Sequence, residues 1–256
     1  MDEQETPSAT DKYAVHTTKL CRVFGSLRAV EELDLRVERG TLYGFLGRNG
    51  AGKSTTIKML TGILAPSSGS ISLLGVNPSN EAQAAEVRRR IGVVPEDLAL
   101  FELLTGREYL DFVGTIYLLE EAAARERVDE LFEVLNVGAD EKQLVLEYSH
   151  GMRKKLALAA ALIGDPTLLF LDEPFEGVDA VSSRVMRDIL VRFVDRGGTV
   201  FITSHVLDVI ERLCTHVGII DHGRLVYEAP LSSLAGRTLE SVFMRSELSW
   251  LREDGA

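Results

Sequence analysis

Apolar and polar positions alternate over Leu33, Asp34, Leu35, Arg36, Val37 and Glu38, the period of an antiparallel strand with one wet face. The β-like pattern begins at Val15, and Arg39-Gly40 turns the chain into Thr41 to Leu46, which reads as a buried strand. A helix is predicted directly after the following glycine-rich stretch, because Ile57, Leu60 and Leu64 share one helical face. Ile71 to Leu74, after Pro66-Ser67-Ser68-Gly69, reads as a short strand closed by Gly75. Ile91 to Val94 reads as a buried strand ended by Pro95.

Beyond Pro95 the pattern turns helical. Thr105-Gly106-Arg107-Glu108 has capping-box spacing and opens a helix carrying Leu110, Val113 and Tyr117. A second helix places Val128, Leu131, Phe132 and Leu135 on one face and stops near Asn136-Val137-Gly138. The strand pattern then returns after a helical Leu156 to Ile163. Leu168 to Leu171 and Val200 to Thr203 are continuous apolar runs of the kind that fill a central parallel sheet. Val217 to Ile220, Asp221-His222-Gly223 and Arg224 to Tyr227 read as strand, turn, strand. The stretch after Pro230 reads as helical, with a frayed end at Glu253 to Ala256, and residues before Lys12 are expected to be disordered.

Composition narrows this little. The 256 residues suffice for one large α/β domain with a subdomain, and 45% hydrophobic with 26% charged residues is ordinary for a globular chain. The formal net charge of −11 argues against a broad nucleic-acid-binding face. No apolar run approaches the roughly 20 residues of a spanning helix. The acidic start, Met1 to Pro7, lacks a signal-peptide core, so a cytosolic location is expected. Cys21 and Cys214 lack CxxC spacing and read as small core residues.

The chemistry is concentrated at Gly47-Arg48-Asn49-Gly50-Ala51-Gly52-Lys53-Ser54-Thr55. Strand, glycine-rich turn and helix are the context in which GxxxxGK[ST] acts as a nucleotide-phosphate loop. The glycines free the backbone, whose N–H groups face an anion together with the positive end of the following helix. Lys53 would reach the β- and γ-phosphates, and the Ser54 hydroxyl would ligate Mg²⁺. A dinucleotide fingerprint fails for want of a third glycine in register. Further along, Leu171-Asp172-Glu173-Pro174 sets two carboxylates at the end of a buried strand. There Asp172 can hold Mg²⁺ and Glu173 can polarise an attacking water.

With these motifs the chain, from about Tyr13 to about Arg245, resembles the ATP-binding cassette of ABC transporters. The resemblance implies a P-loop NTPase core of the RecA-like α/β class, with an N-terminal antiparallel β subdomain and an inserted helical subdomain. Expected boundaries are a tail over residues 1–12, core over 13–96, helical insertion over 97–150, core over 151–230 and a C-terminal helical tail over 231–256. Tyr148-Ser149-His150-Gly151-Met152 stands where the family carries its signature sequence. Ser149 and Gly151 would there face the γ-phosphate held by an opposite subunit, with Ser149 capping the helix that follows. Gly177-Val178-Asp179 resembles the loop that crosses the dimer interface, and His205 matches the histidine that contacts the γ-phosphate. Phe24 aligns with the aromatic that stacks on adenine, though a phenylalanine there suits a core equally.

Two residues depart from the family pattern. Glu96 stands where glutamine is common; a carboxylate could ligate Mg²⁺, yet it adds negative charge beside Asp172 and Glu173. His150 and Met152 replace the usual glycine and glutamine. The Pro95-Glu96 pair and the Tyr-Ser-x-Gly-Met signature resemble exporter cassettes that pair with separate integral membrane subunits. The expected function is therefore an ATPase with ATP and Mg²⁺ as cofactors, dimerising with a second cassette, a homodimer being favoured, on the cytoplasmic face of a membrane. The rivals are a soluble assembly scaffold of the same family, and a GTPase or kinase on the same loop, for which no Asn-Lys-x-Asp motif exists.

Overall fold

The computed structural model describes residues 12–137, 142–234 and 236–245; the expected disordered N-terminal tail, Gly138 and the frayed C-terminal end lie outside them. A six-stranded sheet forms the centre, in the order β10-β9-β4-β8-β7-β6. Its strands are β4 (Leu42–Leu46), β6 (Ile91–Val94), β7 (Leu168–Leu171), β8 (Thr199–Ser204), β9 (His216–Asp221) and β10 (Arg224–Pro230). All neighbours run parallel except the β9–β10 hairpin. That hairpin turns at His222-Gly223, both with positive φ, as a two-residue turn of matching twist requires.

The parallel strands read as continuous apolar runs because both faces are covered. Leu42, Leu46, Leu169, Leu171, Val200 and Ile202 join one core with α3 (Gly106–Ile116), α4 (Glu121–Val134), α5 (His150–Leu162) and α6 (Ala180–Asp195). Their sequence neighbours Tyr43, Phe45, Leu168, Phe170 and Phe201 face a second core. It is closed by α1 (Lys53–Leu60) and a four-stranded antiparallel sheet of β1 (Tyr13–Phe24), β2 (Leu27–Leu33), β3 (Arg36–Glu38) and β5 (Ser68–Leu73). Phe201 sits at the middle of this face, with ring centroids 5.2 to 5.7 Å from Phe45, Tyr43 and Phe170. At about 1.5–3 kcal/mol for each fully buried large apolar side chain, these two cores carry most of the folding free energy.

Most predicted elements are present, including both reciprocal bonds of the Thr105–Glu108 capping box. Three readings are corrected, and the core alternative for Phe24 falls away. The single strand expected over Leu33 to Glu38 is divided between β2 and β3. Glu32 takes a positive φ, and the Thr17 hydroxyl enters the gap, donating to Leu33 O at 2.7 Å and accepting from Leu35 N–H at 2.9 Å. The in–out alternation survives the break because the side chains still face the same core. Cys21 is only half-buried, its Sγ accepting from Glu32 N–H, whereas Cys214 is a core residue whose thiol burial pushes far up. Phe24 is no core residue, being 44% exposed. The stretch after Pro230 opens as a short 3-10 turn, Leu231–Leu234, and among the described residues beyond it 239–245 are α-helical. Two further helices, α2 (Glu81–Arg89) and α7 (Leu207–Leu213), and the long α6 have no counterpart among the sequence expectations. No helix among the described residues is long and apolar enough to cross a membrane.

Candidate active site

The carboxyl ends of β4, β7 and β8 converge on one rim, where an open α/β sheet binds its ligand. Above β4 the chain wraps tightly. Gly52 adopts φ 110°, and a Cβ there would lie 2.5 Å from Ala29 O, so only glycine lets α1 start at this point. No side chain caps α1, which leaves its first N–H groups available to an anion.

Lys53, 6% exposed, donates to Gly47 O at 2.7 Å and Arg48 O at 3.2 Å. Its ammonium also lies 3.3 Å from Glu173 Oε1. The other oxygen, Glu173 Oε2, is 3.1 Å from His205 Nδ1. Glu173 therefore spans Lys53 and His205 while its backbone sits at φ 45°, a left-handed conformation costly for a glutamate. Oε1 is buried and has no hydrogen-bond partner, and the Lys53 ammonium is the cation ion-paired with it. Such strain and incomplete satisfaction are typical of groups held for chemistry rather than stability.

Asp172, also buried, accepts from the Thr203 hydroxyl at 2.6 Å. The same Thr203 oxygen accepts from Glu173 N–H at 3.0 Å, so one fully buried hydroxyl fixes both carboxylate residues. Lys154 is the other group absent from the sequence expectations. It is 2% exposed and donates to Glu96 O at 3.2 Å and to Glu173 O at 3.3 Å. Burial lowers its pKa, opposed by the fields of Glu176, Glu96, Asp172 and Glu173. Neither residue has a local sequence signal; only the alignment of β7 with β8 and the packing of α5 on β6 bring them in.

A cavity of about 450 Å³ opens over the loop, lined among others by Phe24, Arg48, Gly50, Lys53, Ser54, Glu96 and Glu173. At its outer rim the Arg22 guanidinium stacks on the Phe24 ring, 4.5 Å from its centroid. The Ser54 hydroxyl donates to Glu96 Oε2 at 3.2 Å, which brings two of the three expected Mg²⁺ ligands together. No group of three or more His, Cys, Asp or Glu side chains among the described residues could hold a metal alone. A hard cation that takes one or two carboxylates, waters and phosphate oxygens does not need one. The donor set of Ser54, Glu96 and Asp172 therefore fits Mg²⁺ arriving with a phosphate ligand.

His205 borders a neighbouring cavity of about 250 Å³ with Glu173, Glu176 and Gly177. Ser149 and Gly151 line neither cavity. Ser149 caps α5, its Oγ accepting from Met152 N–H at 3.3 Å. Gly151 packs so closely on α6 that a Cβ would lie 2.7 Å from Asp179 Oδ2, and His150 Nε2 lies 3.1 Å from Glu176 O. The structure thus gathers the loop residues, Phe24, Glu96, Asp172, Glu173 and His205 at one rim and sets the Ser149–Gly151 turn apart from it.

A family model described as "ABC transporter" matches residues 30–176, which include the phosphate loop, the Ser149 turn and the Asp172–Glu173 pair. The bacitracin transport ATP-binding protein BcrA of Bacillus licheniformis is 40% identical over 224 residues, 87% of this chain and 72% of that protein. The daunorubicin/doxorubicin resistance ATP-binding protein DrrA of Streptomyces peucetius is 41% identical over 221 residues, 86% of this chain and 66% of that protein. Among solved structures, an ATP-binding subunit of an ABC transporter is 26% identical and superposes with a TM-score of 0.83, covering 91% of this chain and 99% of that one.

Proposed function

The chain belongs to the ABC transporter ATP-binding family, and on that premise we propose that it is the ATP-hydrolysing subunit of an exporter working through separate integral membrane subunits. The observation that carries this reading is Glu173, strained and held between Lys53 and His205 at the rim of the phosphate-loop cavity. ATP seats its phosphates over the N-terminus of α1, with its base against Phe24. Lys53 then exchanges the Gly47 and Arg48 carbonyls for phosphate oxygens. As Lys53 turns to the phosphates, Glu173 is freed from its ammonium neighbour to accept a proton from a water in line with the γ-phosphorus. Ser54, Asp172 and Glu96 would hold Mg²⁺, which would offset phosphate charge. His205, fixed on Glu173, is placed to donate toward the departing phosphoryl group.

The site is completed by a second cassette, a homodimer being the simplest case, whose Ser149 and Gly151 close over the γ-phosphate. Support for this is the exposed, capped start of α5, which lies outside the cavity of its own chain. Membrane subunits are expected to dock where the helical insertion meets the core, on the cytoplasmic side. An apolar groove of about 280 Å³ there is lined by Ile91, Val93, Pro95, Tyr109 and Val113. Beside it Phe101, Leu103, Phe112 and Ile116 are 43 to 81% exposed, an apolar patch of the kind that marks a docking site. Export is favoured over a scaffold role because the named relatives serve antibiotic transport and resistance.

Glu173→Gln tests the reading. Steady-state hydrolysis should fall by about 10²–10³-fold, while ATP binding persists and light scattering detects a nucleotide-bridged dimer. Turnover within threefold of wild type would overturn the assignment of Glu173 as the base.

A further inference from the structure

Three carboxylates, those of Glu96, Asp172 and Glu173, crowd a rim that must also accept a triphosphate, and Lys53 answers only Glu173 directly. A neutral side chain at position 96 would leave this cluster one charge lighter. The compensating charge comes from α5. Lys154 reaches up from the helix that begins at Ser149 and enters the space beneath the rim almost fully buried. Its ammonium donates to the backbone of Glu96 and to that of Glu173, tying the strand-end turn after β6 to the turn after β7. Glu176, Glu96, Asp172 and Glu173, in that order, are the carboxylates whose fields it feels, Glu176 and Glu96 being exposed and the other two buried.

We propose that Lys154 is the positioning residue that permits a carboxylate at position 96, compensating its charge and holding the Glu96 and Glu173 backbones in one register. The inference rests on the ATPase reading above. Two consequences follow from the geometry. Removing the ammonium alone leaves the carboxylate cluster undercompensated, which is worse than removing both charges together, whereas the two backbone carbonyls lose their ammonium donor either way. The link also joins the first turns of α5, which carry the Ser149 cap, to the base, so displacement of that helix moves Glu173 and Glu96 as a pair.

The test is a double-mutant cycle of Glu96→Gln, Lys154→Gln and the two combined, with ATP turnover, KM and thermal melting measured on each. Lys154→Gln should lower kcat about thirtyfold with KM for ATP changed less than about threefold, and the double variant should regain at least about tenfold. A merely structural lysine predicts no such regain, so a double variant as slow as Lys154→Gln overturns the proposal. If Lys154→Gln does not fold, a folded and active double variant supports charge compensation, and an unfolded one refutes it. Wild-type turnover in the same assay separates the two claims: its absence defeats the ATPase reading itself, whereas its presence with an additive cycle defeats only the role of Lys154.

Discussion

Two helices open on the functional loops, and they meet their first turns differently. The N-cap of α1 is Gly52, which offers no side chain, so the N–H groups behind the phosphate loop remain free. The N-cap of α5 is Ser149, which already occupies the Met152 N–H. Around the first helix, Lys53, Asp172, Glu173 and Thr203 are buried and bound to one another. Around the second, Ser149 and His150 are exposed, and the turn meets the chain before α6 through Gly151 on Asp179 and His150 on Glu176 O. One half is preorganised within the chain and the other is presented outward. A preorganised charge cluster binds ligand without reorganising at the moment of reaction, whereas an outward turn contributes only when a surface is brought to it.

Lys53→Ala breaks this comparison most severely. The variant should lose ATP affinity by more than about a hundredfold in calorimetry, since it removes the charge-assisted phosphate contact. It also removes the ammonium ion-paired with the buried Glu173 Oε1, which has no hydrogen-bond partner. Unchanged affinity would show that the phosphate loop does not carry binding.

The phosphate-loop half is legible in sequence because its residues are neighbours in the chain: strand, glycine turn, lysine and helix lie within Leu42 to Leu60. Asp172 and Glu173 are legible for the same reason, as the end of an apolar strand. Thr203 and Lys154 are not. Thr203 matters because the parallel register pairs Leu171 with Ile202, setting the next residues of both strands side by side. Lys154 sits in an ordinary Arg153-Lys154-Lys155 run, and only the packing of α5 under β6 and β7 distinguishes it from a solvated charge. The break at Asp34 is hidden likewise, because the hydroxyl that fills it belongs to Thr17.

Thr203→Val sharpens the account of the preorganised half. Valine keeps the shape but leaves Asp172 Oδ1 and Glu173 N–H without the bonds they make now. The fold should lose about 1–3 kcal/mol in denaturant unfolding, and kcat should fall more than KM changes, while Thr203→Ser restores both. A variant with normal kcat would mean that the two carboxylates are held by the strand ends alone.

Ser149→Ala addresses the outward half. Removing the cap costs about 1 kcal/mol of helix stability. ATP affinity of the isolated chain should stay within threefold of wild type, and hydrolysis should fall by about tenfold. An affinity loss comparable to that of Lys53→Ala would mean that both halves already cooperate within one chain, and the contrast would collapse.

Asp179→Ala gives the smallest effect and locates the anchorage of the outward half. Asp179 caps α6, accepting from Val181 and Ser182 N–H at 3.0 and 2.9 Å. The Ser182 backbone bond is the main reason its carboxyl lies below the ordinary value of 3.8. A carboxyl lowered by folding stabilises the fold above its unfolded value, and the contribution disappears as pH falls through the lowered folded value. The thermal midpoint of wild type should therefore exceed that of Asp179→Ala by a small constant margin from pH 8 to about pH 5. The margin should close in acid, below the ordinary value of 3.8. A margin that persists there would assign the stabilisation to packing against Gly151, whose absent Cβ leaves Asp179 Oδ2 its room, and not to the ionised cap.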